Sequence, residues 1–212
     1  MRNHIPGTHR DHYQRHREAI DWVLAQLTAG ARPDTFAGYW GLVKPVAGLR
    51  RRESRALWNV LRGERVERAV EIGRNMGGSL MLIVCACPDL REIVSLDIAP
   101  IAQVDAGLQS WLDGLGIAWE FIASGSQLVT PPRDVRDFVF VDGSHIGKLV
   151  AKDIALWKDH TRLLGFHDYT LAGRRTRYPG VVTAIDNARE ANDWQPVGTR
   201  GGTEIVFRTG VE

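Results

Sequence analysis

Residues 69–80 read AVEIGRNMGGSL, and the reading of this stretch decides the fold. A short strand-like run ends at Gly73, and Gly77-Gly78-Ser79 opens a run with helical spacing. Glycines at a strand-to-helix turn permit a tight reversal and close approach of a ligand to the backbone. They also lie next to a helix N-terminus, whose first N–H groups have no intrahelical partner. The spacing is not the G-x-G-x-x-G of dinucleotide sites, because Arg74 follows Gly73 and the next glycine is Gly77. No Gly-Lys-Ser/Thr closes it, so it is not a P-loop. Glu71 stands inside the strand end, where its carboxylate could accept from a cationic group such as an ammonium.

Outward from this turn, strand-like and helical runs alternate. ERAVEIG leads to a helix near 78–86, EIVSLDI to a helix near 101–113, and AWEFIAS follows. DFVFVDG leads to a helix near 147–158, and RLLGFHDY comes next. Such alternation implies right-handed βαβ crossovers and a parallel sheet with helices on both faces. The end differs: a helix near 180–191, then WQPV, a Gly201-Gly202 turn and TEIVFRT predict an antiparallel hairpin. Upstream, residues 11–28 and Glu53–Leu61 read as helices, separated by the Gly-, Pro- and aromatic-rich stretch 31–49. The expected organisation is a helical segment at 1–61, acting as a cap or dimerisation element, and a doubly wound α/β domain at 62–212.

Composition bounds the function classes. The chain has 212 residues, 44% hydrophobic and 25% charged, which is ordinary for a globular protein. No apolar run reaches the ~20 residues of a membrane span, and the N-terminus lacks a signal-peptide core. A cytoplasmic location is expected, with no membrane partner. Lys+Arg 27 against Asp+Glu 25 is too balanced for a dedicated nucleic-acid binder, although residues 1–60 hold a local excess of five positive charges. Cys85 and Cys87 cannot complete a zinc site and read as buried small side chains. His4, His9, His12 and His16 alternate with arginines on a polar end and read as solvated.

The remaining signals sit where strands end, which is where open α/β sheets bind ligands. Asp97 closes SLD, 26 residues after Glu71, and could accept two ribose hydroxyls or cap the segment before Pro100. A nucleoside with an amino-acid tail, such as S-adenosylmethionine, fits Glu71, the turn and Asp97 together. Asp142 ends FVFVD, with Gly143, Ser144 and His145 following, and His167-Asp168 end the next strand. Asp142, His167 and Asp168 converging at one face could hold a divalent cation, Mg2+ or another, with positions open for substrate oxygens. His-Asp neighbours that merely satisfy each other are the alternative.

With VEIGRNMGGS, SLDI, FVFVDGSH, LLGFHDY and the tail PGVVTAIDNA…WQPVGTRGGTEIVFR in order, the chain resembles the class I S-adenosylmethionine-dependent methyltransferases. It is most similar to the small bacterial group that includes cephalosporin-hydroxylase-like and macrocin O-methyltransferase-like proteins. The resemblance covers roughly residues 50–209. It implies a Rossmann-like seven-stranded sheet with the last strand antiparallel. It also implies an adenosyl group over the turn formed by Gly73, Asn75, Gly77, Gly78 and Ser79, and ribose hydroxyls on Asp97 next to Ile98. Adenine would fall near Ser124, Gly125 and Ser126, although many relatives carry an acid where Gly125 stands. Metal-dependent relatives ligate their cation through residues matching Asp142, His167 and Asp168, the first of that pair usually being acidic, so His167 is a departure. Catechol-type relatives place a lysine base where His145 stands, and an imidazole can take a hydroxyl proton near neutral pH.

The function these residues imply is O-methylation of a small-molecule or sugar-bearing acceptor, assisted by a divalent metal, with His145 and Asp142 catalytic. Asp142 also borders the cofactor. Two other readings stay open from sequence: a hydroxylase-like enzyme of the same fold, and a non-catalytic nucleoside-binding protein. Phe36, Tyr39 and Trp40 could line an acceptor pocket or pack the N-terminal segment, which could also form a homo-oligomer contact. Arg174, Arg175 and Arg177 could meet an acidic substrate group or be solvated loop charges.

Overall fold

The computed structural model describes residues 7–46, 48–169, 177–197 and 205–211, with the side chains of 7–13, 15 and 205 left aside. Three helices come first: α1 (Gly7–Thr28), α2 (Phe36–Val43) and α3 (Arg51–Arg62). The alternating part follows as β1 (Arg68–Ile72), α4 (Gly78–Ala86), β2 (Glu92–Asp97), α5 (Ala102–Gly114) and β3 (Ala118–Ala123). It continues as β4 (Arg136–Val141), α6 (Gly147–Trp157), β5 (Thr161–Phe166), α7 (Pro179–Asn192), β6 (Gln195–Pro196) and β7 (Ile205–Arg208). The strands form one sheet in the order β3-β2-β1-β4-β5-β7-β6, with β1 to β5 parallel and β7 antiparallel to both neighbours. The expected Rossmann-like seven-stranded sheet is therefore present. Gly201 and Gly202, the predicted hairpin turn, lie outside the described residues.

Strand periodicity divides the core. Along β4, Phe138 and Phe140 face one helical layer while Val139 and Val141 face the other. The first layer holds α1 to α5, with Ile20, Leu27, Leu57, Leu80 and Leu108 in one cluster; the second holds α6 and α7, with Ile154, Trp157, Val181 and Ile185. All nine residues of α4 are buried, which explains a helix without a polar face. Burial pushes the Cys85 and Cys87 thiols up to about 12, in keeping with inert packing.

The stretch 31–49, read from sequence only as Gly-, Pro- and aromatic-rich, contains α2. Thr35 caps it, its Oγ1 accepting from the Gly38 N–H at 3.3 Å. Phe36 and Tyr39 are buried against Trp58 of α3, so they pack α2 onto α3 within the N-terminal segment. Tyr39 also donates to the Gly78 carbonyl at 3.1 Å, tying α2 to the start of α4.

Strand order reverses at β1, whose neighbours are β2 and β4. Register aligns the ends: Ile72 pairs with Leu96 and with Val141, and Val141 pairs with Phe166. Gly73, Asp97, Asp142 and His167 are each the next residue along, so they share one row at the carboxyl edge.

Candidate active site

The first half of that row is built on β1 and β2. Gly73 has φ +95°, and a Cβ there would lie 2.3 Å from the Asp142 carbonyl oxygen, so only glycine lets the turn pass β4. Glu71 points into the first layer and is fully buried. Its Oε1 accepts from Ser79 Oγ at 2.5 Å and its Oε2 from Ser95 Oγ at 3.1 Å. The sequence expectation of a carboxylate meeting a ligand ammonium is thus replaced by one turned inward, joining β1, β2 and α4. Burial raises its pKa to about 7, against the pull of the two hydroxyls and Arg74.

Asp97 is buried. Its Oδ2 accepts from the Asn75 N–H at 2.8 Å and its Oδ1 from the Ala99 N–H at 3.0 Å. It therefore acts as a local cap at the end of β2. Ile98 next to it is half exposed. Beyond β3, Ser126 is buried with its hydroxyl on Asp153 of α6 at 2.6 Å, whereas Ser124 only donates to the Gly125 carbonyl. Burial raises the Asp153 pKa, opposed by the hydrogen bonds of Ser126 and Gln127.

Gln127 was not singled out from sequence. Its Nε2 donates to Asp153 Oδ1 at 2.8 Å. A carboxylate oxygen is the natural partner of the amide nitrogen, so Oε1 faces away, 3.7 Å from where a Cβ on Gly125 would sit. The acceptor that an acid at position 125 would have supplied is thus available from a neighbouring side chain.

The second half gathers charges on β4 and β5. His167 Nδ1 lies 3.0 Å from Asp142 Oδ1 and 3.5 Å from Asp168 Oδ2, and Nε2 lies 3.7 Å from Glu53 Oε2. Burial alone would lower the His167 pKa; Asp142, Glu53 and Asp168 outweigh it and raise the value to about 11. His167 accordingly stands as an imidazolium among carboxylates. Both ring nitrogens face acids, and a neutral ring has only one N–H to donate. His145 lies closer to Asp168 than His167 does. Asp142, His145 and Asp168 each offer an atom within 4.8 Å of the others. His145 Nε2 is 2.8 Å from Asp168 Oδ2, and its ring packs on Tyr178 with centroids 4.1 Å apart. Asp168 adopts φ +59°, a left-handed conformation that Asp tolerates better than most residues.

Glu53 is the second residue missed by the sequence reading, which placed it only in a helix. It is buried at the start of α3, its Oε2 accepting from the Arg50 N–H at 2.7 Å, and it brings the N-terminal segment to His167. The only sequence signal was an acid among arginines at a helix start. Arg177 is exposed, with its guanidinium over Tyr178; Arg174, Arg175, His4 and the side chains of His9 and His12 lie outside the described residues.

A family model described as a methyltransferase domain matches residues 70–169, the span from β1 to the end of the acidic cluster. The match to a methyltransferase domain thus spans just under half of the chain. Solved structures share the fold of the chain. An O-methyltransferase from Bacillus cereus in complex with SAH is 13% identical with a TM-score of 0.54, covering 90% of each chain. The SAH-bound Podospora anserina methyltransferase PaMTH1 is 16% identical with a TM-score of 0.54, covering 90% of this chain and 95% of its own. The 16S rRNA methylase RmtB is 12% identical with a TM-score of 0.56, covering 90% of this chain and 73% of its own, so the methyltransferase fold leaves the acceptor undefined. No curated protein matches the chain. Among the described residues, no helix is long and apolar enough to cross a membrane.

Proposed function

We propose that this methyltransferase acts on a hydroxyl oxygen of a small or sugar-bearing acceptor, with His145 as the base. The observation that carries the reading is the 2.8 Å contact of His145 Nε2 with Asp168, beside Asp142 and next to the glycine turn. Bound S-adenosylmethionine supplies an electrophilic methyl group. Gly73 and Gly77 leave the turn free of Cβ atoms, Asp97 takes the ribose hydroxyls alongside Ile98, and Gln127 Oε1 with Ser124 and Gly125 meets the adenine. Glu71, Asn75, Gly78 and Ser79 hold the turn in shape. His145 Nδ1 then accepts the hydroxyl proton, and Asp168 stabilises the imidazolium that forms. Most of the acceleration comes from holding the oxygen in line with the methyl group. Residues 1–61 cap the domain at 62–212, and Glu53 reaches from the cap into the site.

A divalent cation is the second reading, favoured by the donor set of Asp142, His145 and Asp168. Two carboxylates and an imidazole suit a transition ion such as Mn2+ better than Mg2+, and a bound ion would lower the pKa of an acceptor hydroxyl. His145 would then be a ligand and not the base. The test is S-adenosylhomocysteine release with catechol, phenol and sugar acceptors, with and without a chelator. Activity that survives chelation, and falls about 10²–10⁴-fold in His145→Ala, supports the base. Activity abolished by chelation and restored by Mn2+ supports the cation. Methylation of amines alone would overturn the oxygen assignment.

A further inference from the structure

Arg74 occupies the middle of the glycine turn, yet it is fully buried. Its NH2 lies 2.7 Å from Asp105 Oδ1 of α5, its NH1 donates to the Asn75 carbonyl at 2.8 Å, and its guanidinium lies 4.5 Å from the centroid of the Phe121 ring on β3. Asp105 is held in turn, its Oδ2 accepting from the Ile101 N–H at 3.0 Å. Arg74 Nε and NH2 and Asp105 Oδ1 have no hydrogen-bond partner among the described residues, so Asp105 holds the buried charge as an ion pair and the Asn75 carbonyl takes its hydrogen bond. Taking a guanidinium out of water is costly unless it is well paired, and a turn of this length could be closed by a small residue. The position therefore needs an explanation beyond chain reversal.

The residue it grips supplies one. Asn75 has φ +48°, a left-handed conformation unfavourable for a residue with a side chain, and in that conformation its N–H donates to Asp97 Oδ2. Arg74 holds the Asn75 carbonyl from behind while Asp97 takes the amide in front. We infer that Arg74, anchored by Asp105, is a positioning residue that locks the turn so that Asn75 aims the Asp97 carboxylate at the ribose hydroxyls of the cofactor. This rests on the assignment of Asp97 to the ribose. Arg74 touches no reacting atom; it acts through the Asn75 peptide.

The test is titration calorimetry with S-adenosylhomocysteine and with its 2′-deoxy analogue, which lacks one hydroxyl offered to Asp97. Wild type is expected to bind the parent about tenfold more tightly, the worth of one charge-assisted hydrogen bond. Arg74→Met is expected to weaken the parent about tenfold and to shrink the gap between the two ligands below about threefold. Arg74→Lys keeps the charge and its pairing with Asp105 but cannot span Asp105 and the Asn75 carbonyl together. It is expected to shrink the gap likewise, and it carries the test if the methionine variant does not fold. Asp105→Asn should give a smaller change in the same direction. Equal weakening of both ligands with the gap intact, or no weakening, would overturn the inference. Wild type that binds the two ligands equally would remove the ribose assignment itself, and the inference with it.

Discussion

The two halves of the strand-end row use carboxylates in opposite ways. On β1 and β2, Glu71 and Asp97 accept from hydroxyls and backbone N–H groups. On β4 and β5, Asp142 and Asp168 face His145 and His167, and His145 is exposed enough to meet a second molecule. The first arrangement resists rearrangement, because each contact is fixed by a turn or a neighbouring strand. The second sets two imidazoles against two carboxylates at the strand ends. A cofactor with constant shape suits the former, and bond-making at an acceptor suits the latter.

Substitution of Asp142 tests this division most severely. Asp142→Ala is expected to cut turnover about 10³-fold or more while calorimetry shows S-adenosylhomocysteine affinity within about threefold of wild type. An equal loss of affinity would merge the two halves. Next comes the buried Glu71. Its folded pKa, about 7, lies above the ordinary carboxylate value, so the folded state holds the proton longer than the unfolded state. Stability is then highest below the unfolded pKa, falls as pH rises towards 7, and levels off above it, a change of about 3 kcal/mol. Glu71→Gln should remove that fall; denaturant melts at pH 5 and 7.5 with the same slope in both proteins would contradict it.

Asp97→Ala should weaken S-adenosylhomocysteine about 10²-fold and leave turnover at saturating cofactor nearly unchanged. A drop in the saturated rate would place Asp97 with the chemistry. The smallest effect is expected at the cap. Tyr39→Phe, losing one hydrogen bond to Gly78, should lower stability by about 1 kcal/mol, read from the midpoint of chemical unfolding. No change there would mean that apolar packing, and not the hydroxyl, holds α2 in place.

Much of this was legible in residue order. Alternating strands and helices, the Gly73–Ser79 turn and the acids at strand ends were visible because periodicity and turn chemistry are local. α2 was not, since its glycines and aromatics mask a helix that Thr35 caps and Trp58 buries. Glu53 showed only an acid among arginines at a helix start, because its partner His167 is over a hundred positions away in the chain. Gln127 was hidden for a similar reason: its amide is oriented by Asp153 on another helix.

What the order of residues settled by itself was a parallel sheet whose chemistry-bearing side chains fall at carboxyl ends, since a period of two and a strand-ending glycine need only near neighbours. Tertiary structure decided which of those side chains meet. It turned Glu71 inward, put His145 on Asp168, and surrounded His167 with three acids. Such partners depend on sheet register and on helices packed from afar, and in a low-dielectric interior a distant carboxylate a few ångströms away sets the charge of an imidazole more strongly than any residue beside it in the chain.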